Sequence, residues 1–322
     1  MYHHKTIIIA GAGVFGTAMA ERLSWNTTNT VILWSIEEDV VEDINKNHRN
    51  TKYFPTHFLN TSIRATSDKQ IFRSADCILL VIPSKAIVPF TEEIKALTKP
   101  DCMVINLAKG MSDDGAFITE QIPFTRTASM KGPTFAIEVL HGLPSSFTFG
   151  GRKEDYLVLK ESILKGTGLY LDYTRDIRSV ELMSILKNMY AIAIGLVSGR
   201  FNSPNVDFLV YTKAVSEMRK FLALFECSTD TIFCYCGIGD LGLTSLNDLS
   251  RNRTLGLLMG KGFSIDNSGT SATVIEGSRT VKLMGETTRQ QGVQDEYPLV
   301  QALYRLMYEG ESINDYMAAV FA

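Results

Sequence analysis

The sequence predicts an α/β fold in two parts: a doubly wound parallel sheet flanked by helices, then a second, mostly α-helical domain. Two observations carry this. Up to about residue 178, short continuous apolar runs alternate with amphipathic stretches, the pattern of strand–helix–strand units whose strands are buried on both faces. Beyond it, strand signals largely disappear and long helical periodicities take over. The expected domains are therefore 1–178 and 179–322.

Taken in order, residues 6–10 read as a buried strand and 14–25 as the helix after it. A second strand covers 30–34, followed by an acidic helix from Glu37. Strands at 77–82 and 103–107 bracket a helix at 87–97, and shorter strands follow at 145–149 and 168–173. The second part carries helical patterns at 180–197, 210–225, 254–259, 274–290 and 299–308.

Composition bounds the function. Of 322 residues, 45% are hydrophobic and 21% charged, which suits large buried cores and excludes a disordered chain. A net charge of −3 gives no global attraction to nucleic acid or an anionic membrane, so an anionic substrate needs a local cluster of positive groups. No stretch approaches the roughly 20 apolar residues expected of a membrane span. The apolar run 7–10 opens a glycine loop without a cleavage pattern, so no signal peptide is expected and the location is cytoplasmic by default. Five cysteines in no framework spacing read as reduced thiols. Cys234-x-Cys236 has no second Cys or His pair at zinc spacing, and the histidines (His3, His4, His48, His57, His141) are scattered, so no metal is expected.

Gly11-Ala12-Gly13-Val14-Phe15-Gly16 follows a strand and opens a helix, the context that makes a GxGxxG motif specific for dinucleotides. Gly11 permits the tight turn, Gly13 lets a pyrophosphate approach the backbone, and Gly16 allows close helix packing. The helix N-terminus then offers its free N–H groups to the phosphates. At the end of the second strand, an acidic side chain favours NAD and an arginine accommodates the 2′-phosphate of NADP. Here Leu33-Trp34-Ser35-Ile36-Glu37-Glu38 carries no basic residue, so NAD is favoured over NADP, although both glutamates also suit a helix start.

The ordered segments GAGVFGTAMA, VILW, RNTKYFP, RATSD, VIPSKA, AKG, GPTFA, VELMSILKN, GIGDL, DLSRNR, GKG and VIEG together resemble the bacterial-type NAD(P)-dependent glycerol-3-phosphate dehydrogenase family over nearly the whole chain. The resemblance implies a Rossmann-type domain, a helical substrate domain and a site in the cleft between them. It implies that Lys187 is the catalytic acid/base. Lys109, Gly132, Thr134, Asp240, Ser250, Arg251 and Asn252 match family positions for substrate. Phe15, Lys109, Ala136, Arg251, Val274 and Glu276 match positions for the cofactor. It also implies reversible reduction of dihydroxyacetone phosphate to sn-glycerol 3-phosphate, a supply of phospholipid precursor, and a homodimer. Departures stand at Lys131, Ile137, Met183-Ser184-Ile185 and Trp34-Ser35-Ile36, where they could alter cofactor choice or cleft width.

Ketone reduction needs a hydride and a proton, and a lysine can supply the proton when its pKa is brought towards neutrality. On a helix, Ser184, Ala191, Gly195 and Ser198 share about one face with Lys187, and such small residues would leave a groove beside the ammonium. Lys109 lies just beyond a strand's carboxyl end, where ligands bind in doubly wound folds. Its charge could stabilise an alkoxide and disfavour protonation of Lys187, while Asp240 would act the opposite way; the sequence leaves that balance open. Asp248 or Ser250 caps a helix start, and that N-terminus with Arg251 suits a phosphate. Gly132-Pro133-Thr134 offers further donors. Two competing readings remain: a dehydrogenase of another phosphorylated polyol or hydroxy acid, and a non-catalytic NAD-binding sensor.

Overall fold

In the computed structural model, which describes residues 4–110, 115–263 and 276–322, the chain divides into two units, Met1–Glu181 and Leu182–Ala322. The strands of the first unit are β1 (Lys5–Ala10), β2 (Asn29–Trp34), β3 (Arg49–Asn50), β4 (Phe54–Phe58), β5 (Arg64–Thr66), β6 (Cys77–Leu80), β7 (Met103–Asn106), β8 (Thr127–Lys131), β9 (Ser145–Gly150) and β10 (Leu169–Thr174). Its helices are α1 (Val14–Ser24), α2 (Glu38–Asn47), α3 (Ser84–Lys95), α4 (Ile118–Gln121), α5 (Ala136–Leu140) and α6 (Lys153–Val158). Eight strands form one sheet in the order β10-β9-β8-β7-β6-β1-β2-β5, while β3 and β4 form a separate antiparallel hairpin. Every pairing in the large sheet is parallel except β8 with β9.

The apolar runs explain the sheet. Along β1, Ile7 and Ile9 enter one buried cluster, with Leu33, Leu79, Ile105 and Phe147. Ile8 and Ala10 enter another, with Ile78, Leu80 and Val104. Strands buried on both faces need such unbroken apolar sequence.

The second unit is helical: α7 (Ile177–Phe201, which starts in the first unit), α8 (Pro204–Leu224), α9 (Asp240–Ser245), α10 (Arg251–Gly260), α11 (Glu276–Gln290), α12 (Pro298–Tyr308) and α13 (Ile313–Phe321). α8 starts at Pro204, a good first helical residue, six positions before its apolar periodicity becomes readable. The expected boundary near residue 178 falls within the first turn of α7.

Two expectations need correction. A stretch long and apolar enough to cross a membrane does exist: α7 qualifies by length and composition. Its most apolar window is wholly buried within the protein, as a core helix would be. On the face of α7 expected to leave a groove, Gly195 instead meets another helix. A Cβ built on Gly195 would lie 2.4 Å from the Arg253 carbonyl oxygen, and one on Gly256 would lie 2.1 Å from that of Ile192. These glycines bring α7 and α10 backbone to backbone.

Candidate functional site

The glycine loop has the geometry its sequence predicts. Gly11 has φ +117, a conformation that favours glycine, and a Cβ there would lie 2.8 Å from the Val81 carbonyl oxygen beyond β6. A Cβ on Gly16 would lie 1.8 Å from the Gly11 carbonyl oxygen, so the third glycine is what lets α1 lie against the loop. Gly13 faces open space and is the N-cap of α1, with no side chain capping the helix. The loop sits where β1 lies between β2 and β6, the point at which strand order reverses. An open approach to uncapped N–H groups at that point fits a dinucleotide pyrophosphate. Phe15 is half-buried and packs its ring 6.3 Å from that of Phe147.

Asn50, which sequence reasoning missed, supports this loop. Its buried Nδ2 donates to the Ala12 carbonyl and to Thr17 Oγ1, both at 2.8 Å. The RNTKYFP segment was visible, but a tether 38 residues from its target has no local signal.

At the end of β2 the hairpin brings a basic residue that the local sequence lacks. The Lys52 ammonium pairs with Glu37 Oε1, and the Tyr53 hydroxyl donates to Glu37 Oε2 at 2.9 Å. Burial and the adjacent carboxylate push the Tyr53 hydroxyl pKa up. The segment 33–38 itself carries no basic residue, but Lys52 stands beside it, and Glu37 is not a bare carboxylate. Glu38 is exposed.

Lys109 is exposed just past the carboxyl end of β7, and Gly110 after it has φ +106. A buried network holds the strand end beneath them. Asn106 Oδ1 accepts from the Ala108 N–H at 2.9 Å, and its Nδ2 donates to Glu181 Oε1 at 2.5 Å. Lys131 Nζ donates to the Asn106 carbonyl at 2.7 Å. Glu181 also accepts from the Thr119 hydroxyl at 3.0 Å. Burial raises the Glu181 pKa, opposed by the charge of Lys131 and by these hydrogen bonds. Lys131, a departure by resemblance, is thus a buried cation facing a buried carboxylate. Gly132 lies against β9, where a Cβ would meet the Ser146 carbonyl oxygen at 2.2 Å. Thr134 and Ala136 are half-buried around the start of α5.

In the second unit, Lys187 on α7 pairs its ammonium with Asp240 Oδ2, and both side chains are almost wholly buried, at 1% and 3% exposed. Asp240 opens α9 after a tight turn in which a Cβ on Gly237 would lie 2.1 Å from the Ile232 carbonyl oxygen. One residue along α7, Asn188 accepts at its Oδ1 from Asn252 Nδ2 at 3.1 Å, and Asn252 Oδ1 accepts from the Gly277 N–H at 3.1 Å. Asn188 donates in turn to Glu276 Oε2 at 3.3 Å. Ser250 is the N-cap of α10, its hydroxyl accepting from the Arg253 N–H at 3.3 Å, while Asp248 pairs with Arg253. Arg251, the first residue of α10, is exposed. Ser250, Arg251, Asn252, Glu276, Lys187 and Asp240 therefore belong to one unit, and Lys109, Gly132, Thr134, Ala136 and the glycine loop to the other. Val274 lies outside the described residues. No cluster of metal-ligating side chains occurs among the described residues.

A buried ammonium paired with a carboxylate can hold and return a proton. The open glycine loop can hold a dinucleotide.

Comparison with known proteins adds the following. Residues 6–156 match the profile of the NAD-dependent glycerol-3-phosphate dehydrogenase N-terminus, and residues 176–318 match that of its C-terminus. A glycerol-3-phosphate dehydrogenase (NAD(P)+) of Methanothermobacter thermautotrophicus is 32% identical over 97% of this chain and 96% of its own length. That of Maricaulis maris is 30% identical over 100% and 98%. The crystal structure of glycerol-3-phosphate dehydrogenase from Coxiella burnetii superposes with a TM-score of 0.84 at 27% identity, covering 99% of this chain and 98% of that one.

Proposed function

The chain belongs to the NAD-dependent glycerol-3-phosphate dehydrogenase family, and from that premise we propose how its residues work. It is an NAD(P)-dependent dehydrogenase that reduces dihydroxyacetone phosphate to sn-glycerol 3-phosphate, reversibly, and so supplies the backbone of glycerophospholipids. The coenzyme supplies or takes up the hydride. Lys187 supplies the proton: its ammonium donates to the oxygen that becomes the alkoxide, and in the reverse direction its amine accepts the hydroxyl proton. Asp240 holds that ammonium in place and stabilises its charged form.

For the phosphate, α10 offers its N-terminal N–H groups, the Arg251 guanidinium and the Ser250 hydroxyl hydrogen, which capping leaves free because the cap uses only the oxygen. Asn252 has one amide hydrogen beyond its bond to Asn188. The first unit contributes Lys109, Gly132 and Thr134 to substrate. Gly11, Gly13, Phe15, Gly16 and Ala136 serve the coenzyme, with Arg251, Val274 and Glu276 from the second unit. The working form is a homodimer in the cytoplasm. The five free thiols fit that reducing compartment.

The buried Lys187–Asp240 pair is the observation that carries this reading. Steady-state oxidation of NADH and of NADPH with dihydroxyacetone phosphate tests it. Turnover should fall by at least about 10²-fold in Lys187→Ala, with the fold intact by circular dichroism. No turnover by folded protein that binds coenzyme would overturn the substrate, and retained turnover in Lys187→Ala would overturn the role of the lysine. Sedimentation should give twice the 35.8 kDa chain mass.

A further inference from the structure

The carboxyl end of β2 is where the adenosine ribose of a dinucleotide lies in a doubly wound fold. Glu37 stands there, directly before α2, and the hairpin delivers Lys52 and Tyr53 to its two oxygens. The Lys52 side chain is 48% exposed and that of Glu37 28%, so the pair faces solvent and is only weakly held. Tyr53, by contrast, is half-buried and fixes the other carboxylate oxygen. No side chain caps α2, so the positive end of that helix points towards the same place. Against an added phosphate stand Glu37 itself and the exposed Glu38 and Asp39.

We propose that Lys52 and Glu37 form an exchangeable pair that sets which coenzyme the chain accepts. With an NADP-type coenzyme, Lys52 leaves Glu37 and binds the 2′-phosphate; with an NAD-type coenzyme, Glu37 accepts from the ribose hydroxyl while Tyr53 holds it in place. Because Lys52 must give up one anion to bind the other, neither coenzyme is strongly preferred. This inference rests on the dinucleotide reading of the glycine loop given above.

Fragments without the nicotinamide read the site independently of turnover. ADP-ribose and 2′-phospho-ADP-ribose are titrated calorimetrically into the full-length chain and its Lys52→Gln, Lys52→Arg and Glu37→Gln variants. Lys52→Gln should weaken 2′-phospho-ADP-ribose by about tenfold or more, the equivalent of one charge-assisted hydrogen bond, and leave ADP-ribose within about threefold. Lys52→Arg should retain binding of the phosphorylated fragment. Glu37→Gln should tighten that fragment, since it frees Lys52, and weaken ADP-ribose. The ratio of kcat/KM for NADPH to that for NADH should move in the same sense in each variant. Equal losses for both fragments in Lys52→Gln, or unchanged binding of 2′-phospho-ADP-ribose, would overturn the assignment. Failure of the unsubstituted chain to bind either fragment would overturn the dinucleotide reading itself, and this inference with it.

Discussion

Lys187 and Asp240 are expensive residues to bury singly. Each is out of water, and each charge is tolerated because the other stands beside it. Asp240→Ala should therefore cost about 3–5 kcal/mol of folding free energy in urea titrations, the penalty of taking the carboxylate away from a buried ammonium. It should also disfavour the charged lysine and so slow ketone reduction. Asp240→Asn, which still accepts a hydrogen bond, should be less damaging to stability than to rate. A loss of activity without any loss of stability in Asp240→Ala would mean that the pair is not buried as described.

At the scale of elements, Glu217 on α8 ties three helices together. Its carboxylate accepts from the Leu299 and Val300 N–H groups at the start of α12, at 2.6 and 3.1 Å, and from the Tyr190 hydroxyl on α7 at 3.0 Å. Tyr297, Tyr316 and Lys220 are the other ionisable groups acting on it or acted on by it. Burial outweighs these bonds and pushes its pKa up to about 7. A carboxyl that binds its proton more tightly when folded makes the folded state more stable at low pH. That advantage is complete below the ordinary carboxylate value and disappears as pH rises towards 7. The native chain should thus lose up to about 3 kcal/mol between pH 4.5 and 7.5 from this group. Glu217→Gln should flatten the slope in urea titrations across that range; an unchanged slope would assign the effect elsewhere.

Elements of this kind also show what sequence can and cannot disclose. β1, β6 and β7 were legible because a strand covered on both faces is an unbroken apolar run. β8 was missed because its sequence, Thr-Ala-Ser-Met-Lys, is largely polar, and its buried Lys131 is accommodated by the Asn106 carbonyl and the charge of Glu181. The β3–β4 hairpin was missed because most of it is exposed or polar, whereas α13 was overlooked although its capping box, Ser312 with Asp315, is a helix-start signal. The glycine loop was readable since its residues are contiguous. The Lys52–Glu37 pair and the Asn50 tether were not, because the hairpin that makes them is itself a tertiary feature. Gly195, expected to help form a groove, packs on α10 for a related reason: small residues on a helix face serve a ligand or another helix equally well.

For the whole molecule, burial decides chemical durability. Cys77, Cys102, Cys227 and Cys236 are buried and Cys234 only partly so. Burial pushes the Cys102 thiol up to about 12 and the Cys77 thiol well above its ordinary value, so neither supplies thiolate near neutral pH. A thiol reagent monitored by mass spectrometry should label Cys234 first, with the remaining four following only as the chain unfolds. Rapid labelling of Cys77 or Cys102 would show that the sheet opens far more readily than its packing implies. The net charge of −3 leaves any anion capture to local positive groups.

α7 runs unbroken across the point where the two units part, with Glu181 joining the buried network at the end of β7 and Lys187 pairing with Asp240 six residues later. The halves of this chain are therefore not interchangeable at the place where the sequence changes texture. A hybrid joined to a relative near residue 178 would inherit its Glu181 and Lys131 from different parents, and a mismatch would unbalance the charges of that buried network. Between Asn106 and Asp240, a single crossover leaves both networks intact only within residues 182–186, a seam of five positions inside a single helix.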